Sequence, residues 1–210
     1  IRILKEETRD VPIVGNLTGP VSTASSLMEP VTFYKELRRK NQDAHAYMDF
    51  VTRQLIRFGT AQVEAGADVI AISDPSGTGE ILGPRYFEEF AVTYINRLLE
   101  GLPREKTGTI VHICGQMKPV YREVNELKSN ALSFDSIVPM REARKQLPDR
   151  ILMGNVSTYA LEFGTPDRVE TLTRGCVEAG SDIISPACGL GMRSPLANVR
   201  TILKTLEKGE

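Results

Sequence analysis

At 210 residues, with 26 basic and 27 acidic side chains spread along it, the sequence describes one near-neutral globular domain able to bury a sizeable core. No basic block or basic–aromatic stripe occurs, so nucleic acid is not an expected partner. No apolar run reaches the roughly 18 residues of a membrane-spanning helix either. Three cysteines, Cys114, Cys176 and Cys188, are too few and odd in number for a disulfide scaffold. The expected compartment is therefore the reducing cytoplasm.

Along the chain, short runs rich in Val and Ile alternate with longer amphipathic stretches. The first run is 12–19; in the following stretch 44–65, Met48, Val51, Leu55, Phe58 and Val63 recur at helical spacing. Gly66 sits where that helix should stop, and the run 67–73 follows. Ser76-Gly77-Thr78-Gly79 is Gly-rich but matches neither nucleotide fingerprint, and reads as a flexible loop. Gly83-Pro84 and Thr165-Pro166-Asp167 place Pro near the start of a helix. Further runs at 107–114, 131–138, 151–157 and 182–188 bring the total to six, with Gly180 ending the helix before the last. His45, in a polar stretch, reads as a solvated surface residue, and Cys176, inside the helix 166–180, as core.

One near-repeat supports the alternation: Val63-Glu64-Ala65-Gly66-Ala67-Asp68-Val69-Ile70 resembles Val177-Glu178-Ala179-Gly180-Ser181-Asp182-Ile183-Ile184. Both spell a helix end, a Gly turn and a buried strand, as any two such junctions can. The pattern predicts a parallel sheet covered by helices. An open six-stranded sheet satisfies it. So does a (β/α)8 barrel whose first one or two strand–helix units are absent, and the opening residue Ile1 favours the barrel. Residues 1–210 are then one barrel domain, the C-terminal part of a longer chain whose remainder pairs the open edges.

The strongest chemical signal is Thr109-Ile110-Val111-His112-Ile113-Cys114-Gly115. On a strand, alternate side chains share a face, so His112 and Cys114 point the same way with Ile110, while Val111 and Ile113 point to the helices. At the carboxyl end of a barrel strand that inner face is the active-site rim. A third ligand comes from Cys188, where the last run ends in glycines that let the backbone turn tightly. One imidazole and two thiolates suit zinc, and three protein ligands leave a position for substrate.

These residues resemble the uroporphyrinogen decarboxylase superfamily, and within it the methylcobamide:coenzyme M methyltransferases. The markers are Gly19-Pro20, Gly83-Pro84-Arg85-Tyr86-Phe87, His112-Ile113-Cys114-Gly115, Leu132-Ser133-Phe134-Asp135, Gly154-Asn155-Val156-Ser157 and Cys188-Gly189. The resemblance implies a TIM barrel lacking its first quarter or so here. The decarboxylases carry a His between glycines in the last-strand motif and work without metal. The methyltransferases use a His-x-Cys pair plus a distant Cys to hold zinc, and this sequence sides with them.

The resemblance further implies a zinc-activated thiol that accepts a methyl group from methylcobalamin. No Asp-x-His-x-x-Gly pattern occurs, so the corrinoid is expected on a separate partner protein. The acceptor is a small thiol such as coenzyme M, with homocysteine or tetrahydrofolate as alternatives and a decarboxylase-like lyase as the rival activity. By the family pattern Asp135 stands where a carboxylate fills the fourth zinc position or orients the ligating His. Asp74, expected to act in catalysis, and Ser73, Ser133 and Asn155, expected to contact substrate, lie at strand ends.

Overall fold

The computed structural model describes residues 1–8, 10–39 and 42–207. The chain divides into two compact units, residues 1–113 with 118–130, and residues 114–117 with 131–210. In the first, helix α1 (Arg2–Glu7) precedes strand β1 (Val14–Thr18), then α2 (Pro20–Leu27), α3 (Pro30–Arg38) and the long α4 (Gln42–Glu64). Strand β2 (Val69–Ser73), α5 (Gly79–Tyr86), a π-type segment Phe87–Val92, α6 (Thr93–Gly101), β3 (Gly108–Ile113) and α7 (Tyr121–Asn125) follow. The strands are parallel and in chain order, with Val14 opposite Val69 and Val69 opposite Gly108.

Alternation governs this sheet. Leu17, Ile70, Ile72, Val111 and Ile113 are buried, while their chain neighbours Asn16, Ala71, Ser73, Ile110 and His112 are not. Helix α4 packs on β1 and β2 through the predicted stripe, in which Met48, Val51, Leu55 and Val63 are buried. Phe58 departs from the expectation and is 58% exposed. It lies off the narrower stripe that faces the strands. Gly83 adopts φ 71° and breaks α5, so Pro84 starts a fresh helical segment as its fixed φ favours.

His45, expected to be a solvated surface residue, keeps 41% of its side chain exposed and also has partners. Its ring stacks on Phe90 at 4.7 Å, Nδ1 lies 2.9 Å from the Tyr94 hydroxyl and Nε2 3.3 Å from Glu89. Polar neighbours in sequence concealed aromatic partners brought in from the segment 87–94.

The second unit holds β4 (Ala131–Phe134), α8 (Met140–Gln146), β5 (Ile151–Met153), α9 (Thr158–Phe163), α10 (Pro166–Glu178) and α11 (Leu196–Glu207). β4 and β5 are parallel, with Ala131 opposite Ile151. Both are shorter than the runs that announced them. The Asp135 carboxylate accepts the Ile137 N–H at 3.1 Å and closes a turn after β4, while Gly154 at φ 134° takes the chain out of extended backbone after β5. The last run, 182–188, does not form a regular strand: it runs beside 152–156 through backbone hydrogen bonds, but its pairing is confined to isolated bridges at Met153↔Ile183 and Val156↔Pro186. Pro186 has no N–H to continue a ladder. Val156, Leu161, Val169, Cys176 and Ile202 form the core of this unit, and Cys176, 7% exposed, is the core residue expected. Thr165 caps α10 by accepting the Arg168 N–H, with Pro166 in its first turn.

Candidate metal centre

β3 delivers its polar residues by strand geometry alone. Thr109, Val111 and Ile113 are buried, whereas Ile110, His112 and the following Cys114 are half-buried on the opposite face. Register sets Ser73 opposite His112, and Thr18 opposite Ser73, so the three stand in a row across the carboxyl ends of β1, β2 and β3. Thr18 did not emerge from the sequence. Its only signal was its place immediately before Gly19-Pro20. Gly115 takes φ 80°, a left-handed conformation that turns the chain directly after Cys114.

Cys188 joins Cys114 within the second unit. The two sulfurs lie within 4.8 Å of each other, and His112 stands two residues before Cys114 along the chain. Zinc with sulfur at about 2.3 Å and nitrogen at about 2.0 Å sets tetrahedral ligand atoms about 3.5–3.8 Å apart. The two sulfurs thus need only small side-chain rotations to share such an ion. The chemistry of His112, Cys114 and Cys188, one imidazole and two thiols, also fits it. The chain bends at 187–189 and turns at 191–194, where the Ser194 N–H donates to the Gly191 carbonyl at 3.0 Å, but neither Gly189 nor Gly191 has positive φ; the left-handed conformation is at Gly115.

The other residues singled out by sequence occupy varied settings. Asp74 is fully buried, with its carboxylate accepting the N–H groups of Val21 at 3.0 Å and Ser22 at 2.7 Å in the first turn of α2. Burial pushes its carboxyl up from the ordinary value, opposed by hydrogen bonds from Ser22, Val21 and Gly77. The loop 76–79 is not the flexible segment expected. The Ser76 N–H donates to the Ser22 hydroxyl at 2.8 Å, its carbonyl accepts from Tyr34 at 3.0 Å, and Thr78 caps α5. Its glycines serve close packing, which a sequence displays in the same way as mobility.

Asp135 is half-buried in the turn after β4, and Ser133 is buried within that strand. The Asn155 amide donates to the carbonyls of Asp135 and Val138, both at 2.8 Å, and so braces that turn. Asn155 also lines a cleft of about 260 Å³ with Ser136, Met140 and Cys176. Burial pushes the Cys176 thiol up from its ordinary value, with the Asn155 N–H opposing.

No helix among the described residues is long and apolar enough to cross a membrane. The structure matches a methyltransferase from Methanosarcina mazei with a TM-score of 0.93 and 30% identity, over 99% of this chain and 62% of that one. This likeness establishes the α/β, TIM-barrel class of the fold. Methylcobamide:CoM methyltransferase MtaA of Methanosarcina barkeri (strain Fusaro / DSM 804) is 31% identical over 207 residues, 97% of this chain and 60% of its own length. A uroporphyrinogen decarboxylase of Hydrogenovibrio crunogenus is 30% identical over 172 residues, covering 76% of this chain and 47% of that protein. The chain thus spans about 60% of the length of the methyltransferases it resembles. The family model for uroporphyrinogen decarboxylase (URO-D) matches residues 1–209, and with that match over nearly its whole length the chain belongs to the uroporphyrinogen decarboxylase family.

Proposed function

We propose that this chain binds one zinc ion through His112, Cys114 and Cys188 and serves to move a methyl group from a methylated corrinoid, carried by a separate protein, to a small thiol such as coenzyme M. The observation that carries the reading is the approach of the Cys114 and Cys188 sulfurs to within 4.8 Å of each other, with His112 two residues before Cys114. The similarity to MtaA, whose name states transfer from methylcobamide to CoM, supports the choice of reaction.

Bound there, zinc supplies the positive charge that keeps an incoming thiol deprotonated near neutral pH, where a free thiol with a pKa of about 8.5 is mostly protonated. The protein's part is to hold the donors. β3 carries His112, and Cys114 follows immediately after the strand's last residue, Ile113, two residues from His112. Three protein donors leave the fourth position to substrate. Ser73 and Thr18, in the row with His112, are assigned to its polar groups, with Ser133 and Asn155 as further contacts. Asp74 acts through α2, whose first turn it holds, and Asp135 acts from its turn as a carboxylate outside the ligand set.

Metal analysis of purified protein tests this directly. Wild type should carry about one zinc per chain, and His112→Ala and Cys188→Ala should each lose at least about tenfold in affinity. Loss of methylcobalamin absorbance with coenzyme M, homocysteine or tetrahydrofolate then identifies the acceptor. Wild type that is metal-free after anaerobic purification, and takes up no zinc on reconstitution, sinks the proposal and brings metal-free decarboxylase chemistry forward.

A further inference from the structure

Cys188 begins a stretch that lacks regular structure until α11 starts at Leu196. Just before it, the Ala187 N–H donates to the Val156 carbonyl at 2.8 Å. Beyond it, among the described residues, the backbone hydrogen bond formed within 188–194 is an internal one, from Ser194 N–H to the Gly191 carbonyl at 3.0 Å. The far end is tied to α9, because the Asn198 amide donates to the carbonyls of Leu161 at 3.1 Å and Gly164 at 2.9 Å. Residues 188–195 therefore form a strap pinned at both ends, with the metal-binding sulfur on it.

The middle of the strap rests on Glu162 of α9. A Cβ added to Gly191 would fall 2.0 Å from Glu162 Oε2, so carboxylate and backbone are in intimate contact. The Glu162 side chain is only 17% exposed, whereas Arg193, whose Nε lies 3.5 Å from Oε1, is 87% exposed. An ion pair with so solvated an arginine contributes little. The main effect of Glu162 is its shape beneath Gly191.

We propose that Glu162 is a positioning residue for Cys188: by filling the space under Gly191 it holds the strap where the Cys188 sulfur meets that of Cys114. This rests on the metal-site reading above. A strap resting on an under-filled support would still fold but would hold the third ligand loosely, and a ligand set even slightly out of place holds metal weakly.

Zinc transfer from the loaded protein to a chromophoric chelator reads this out without any turnover. Glu162→Ala, which empties the support, and Gly191→Ala, which overfills it, should each speed zinc release about tenfold, in line with losses seen when supporting residues of metal sites are changed. Glu162→Gln keeps the volume and should stay within about twofold of wild type. The Glu162→Ala/Gly191→Ala double variant should release zinc more slowly than the product of the two single effects, because each change makes room for the other. Wild-type release rates in both single variants would overturn the inference while leaving the metal site standing. A wild type that binds no zinc would overturn the site reading itself, and the inference with it.

Discussion

Asp74 shows how one buried side chain can fasten a helix to a strand. Its carboxylate, fully buried, accepts the N–H groups of Val21 and Ser22, two of the donors that a helix start leaves without intrahelical partners. The residue follows β2 directly, so it fastens the start of α2 to the strand that carries Ser73. Removing the carboxylate leaves those donors buried and unmet, at about 1–3 kcal/mol each. Asp74→Ala should therefore lower unfolding stability by about 2–6 kcal/mol, read from urea denaturation. Asp74→Asn, which still offers one accepting oxygen, should lose less. If Asp74→Ala unfolds like wild type but is inactive, the residue belongs to the chemistry and not to the anchoring of α2. The sequence placed Asp74 correctly at a strand end; it did not reveal that helix α2 closes over it.

At the scale of elements, the near-repeat around Asp68 and Asp182 proves to be a repeated connection. After Gly66, the Ala67 N–H returns to Gln62, and Asp68 and Val69 donate to the Ile13 carbonyl; after Gly180, Ser181 returns to Cys176, and Asp182 and Ile183 donate to Leu152. In each case the Asp carboxylate accepts the N–H of that same neighbour, Ile13 or Leu152, at 2.7 Å. Each also pairs with a cation, Lys5 or Arg144. These backbone N–H groups first, and the paired cations after them, hold both carboxyls below the usual carboxylate range. A lowered folded-state pKa contributes stability above the unfolded value near 4, and that contribution is lost as pH falls through the lowered values. The double variant Asp68→Asn/Asp182→Asn should accordingly show a shallower loss of melting temperature below about pH 4 than wild type. Parallel acid limbs in the two proteins would show that other carboxylates dominate there. The motif was legible in sequence because helix end, turn and strand start are neighbours along the chain. The carboxylate clamp was not, because its acceptor role depends on which strand lies alongside.

At the scale of the whole molecule, the three cysteines differ in access to solvent. Cys176 is buried in the core of the second unit with its thiol pushed up by desolvation, whereas Cys188 is exposed and Cys114 half-buried. Reaction follows access and thiolate content. In metal-free native protein, iodoacetamide at neutral pH should label Cys188 first and Cys176 last, with peptide mass spectrometry giving the order. Added zinc should protect Cys188 and leave Cys176 unchanged. Early labelling of Cys176 would mean that its helix opens readily. The similarity in sequence and structure to methyltransferases spans almost all of this chain but about 60% of theirs. Activity assays therefore ask more of these residues than metal binding does.

What the sequence determined by itself is what short-range geometry governs. The alternation of strands and helices, the stripe on α4, the start of α10 at Thr165-Pro166, and the shared face of His112 and Cys114 all follow from periods of 2 and 3.6 residues and from capping chemistry. The tertiary structure decided the rest. The meeting of Cys188 with Cys114, the row Thr18–Ser73–His112, the burial of Asp74 and the bed that Glu162 makes for Gly191 each join residues far apart along the chain. Such contacts are set by which elements pack together and in what register, and a register carries no mark at either residue until its partner strand is in place.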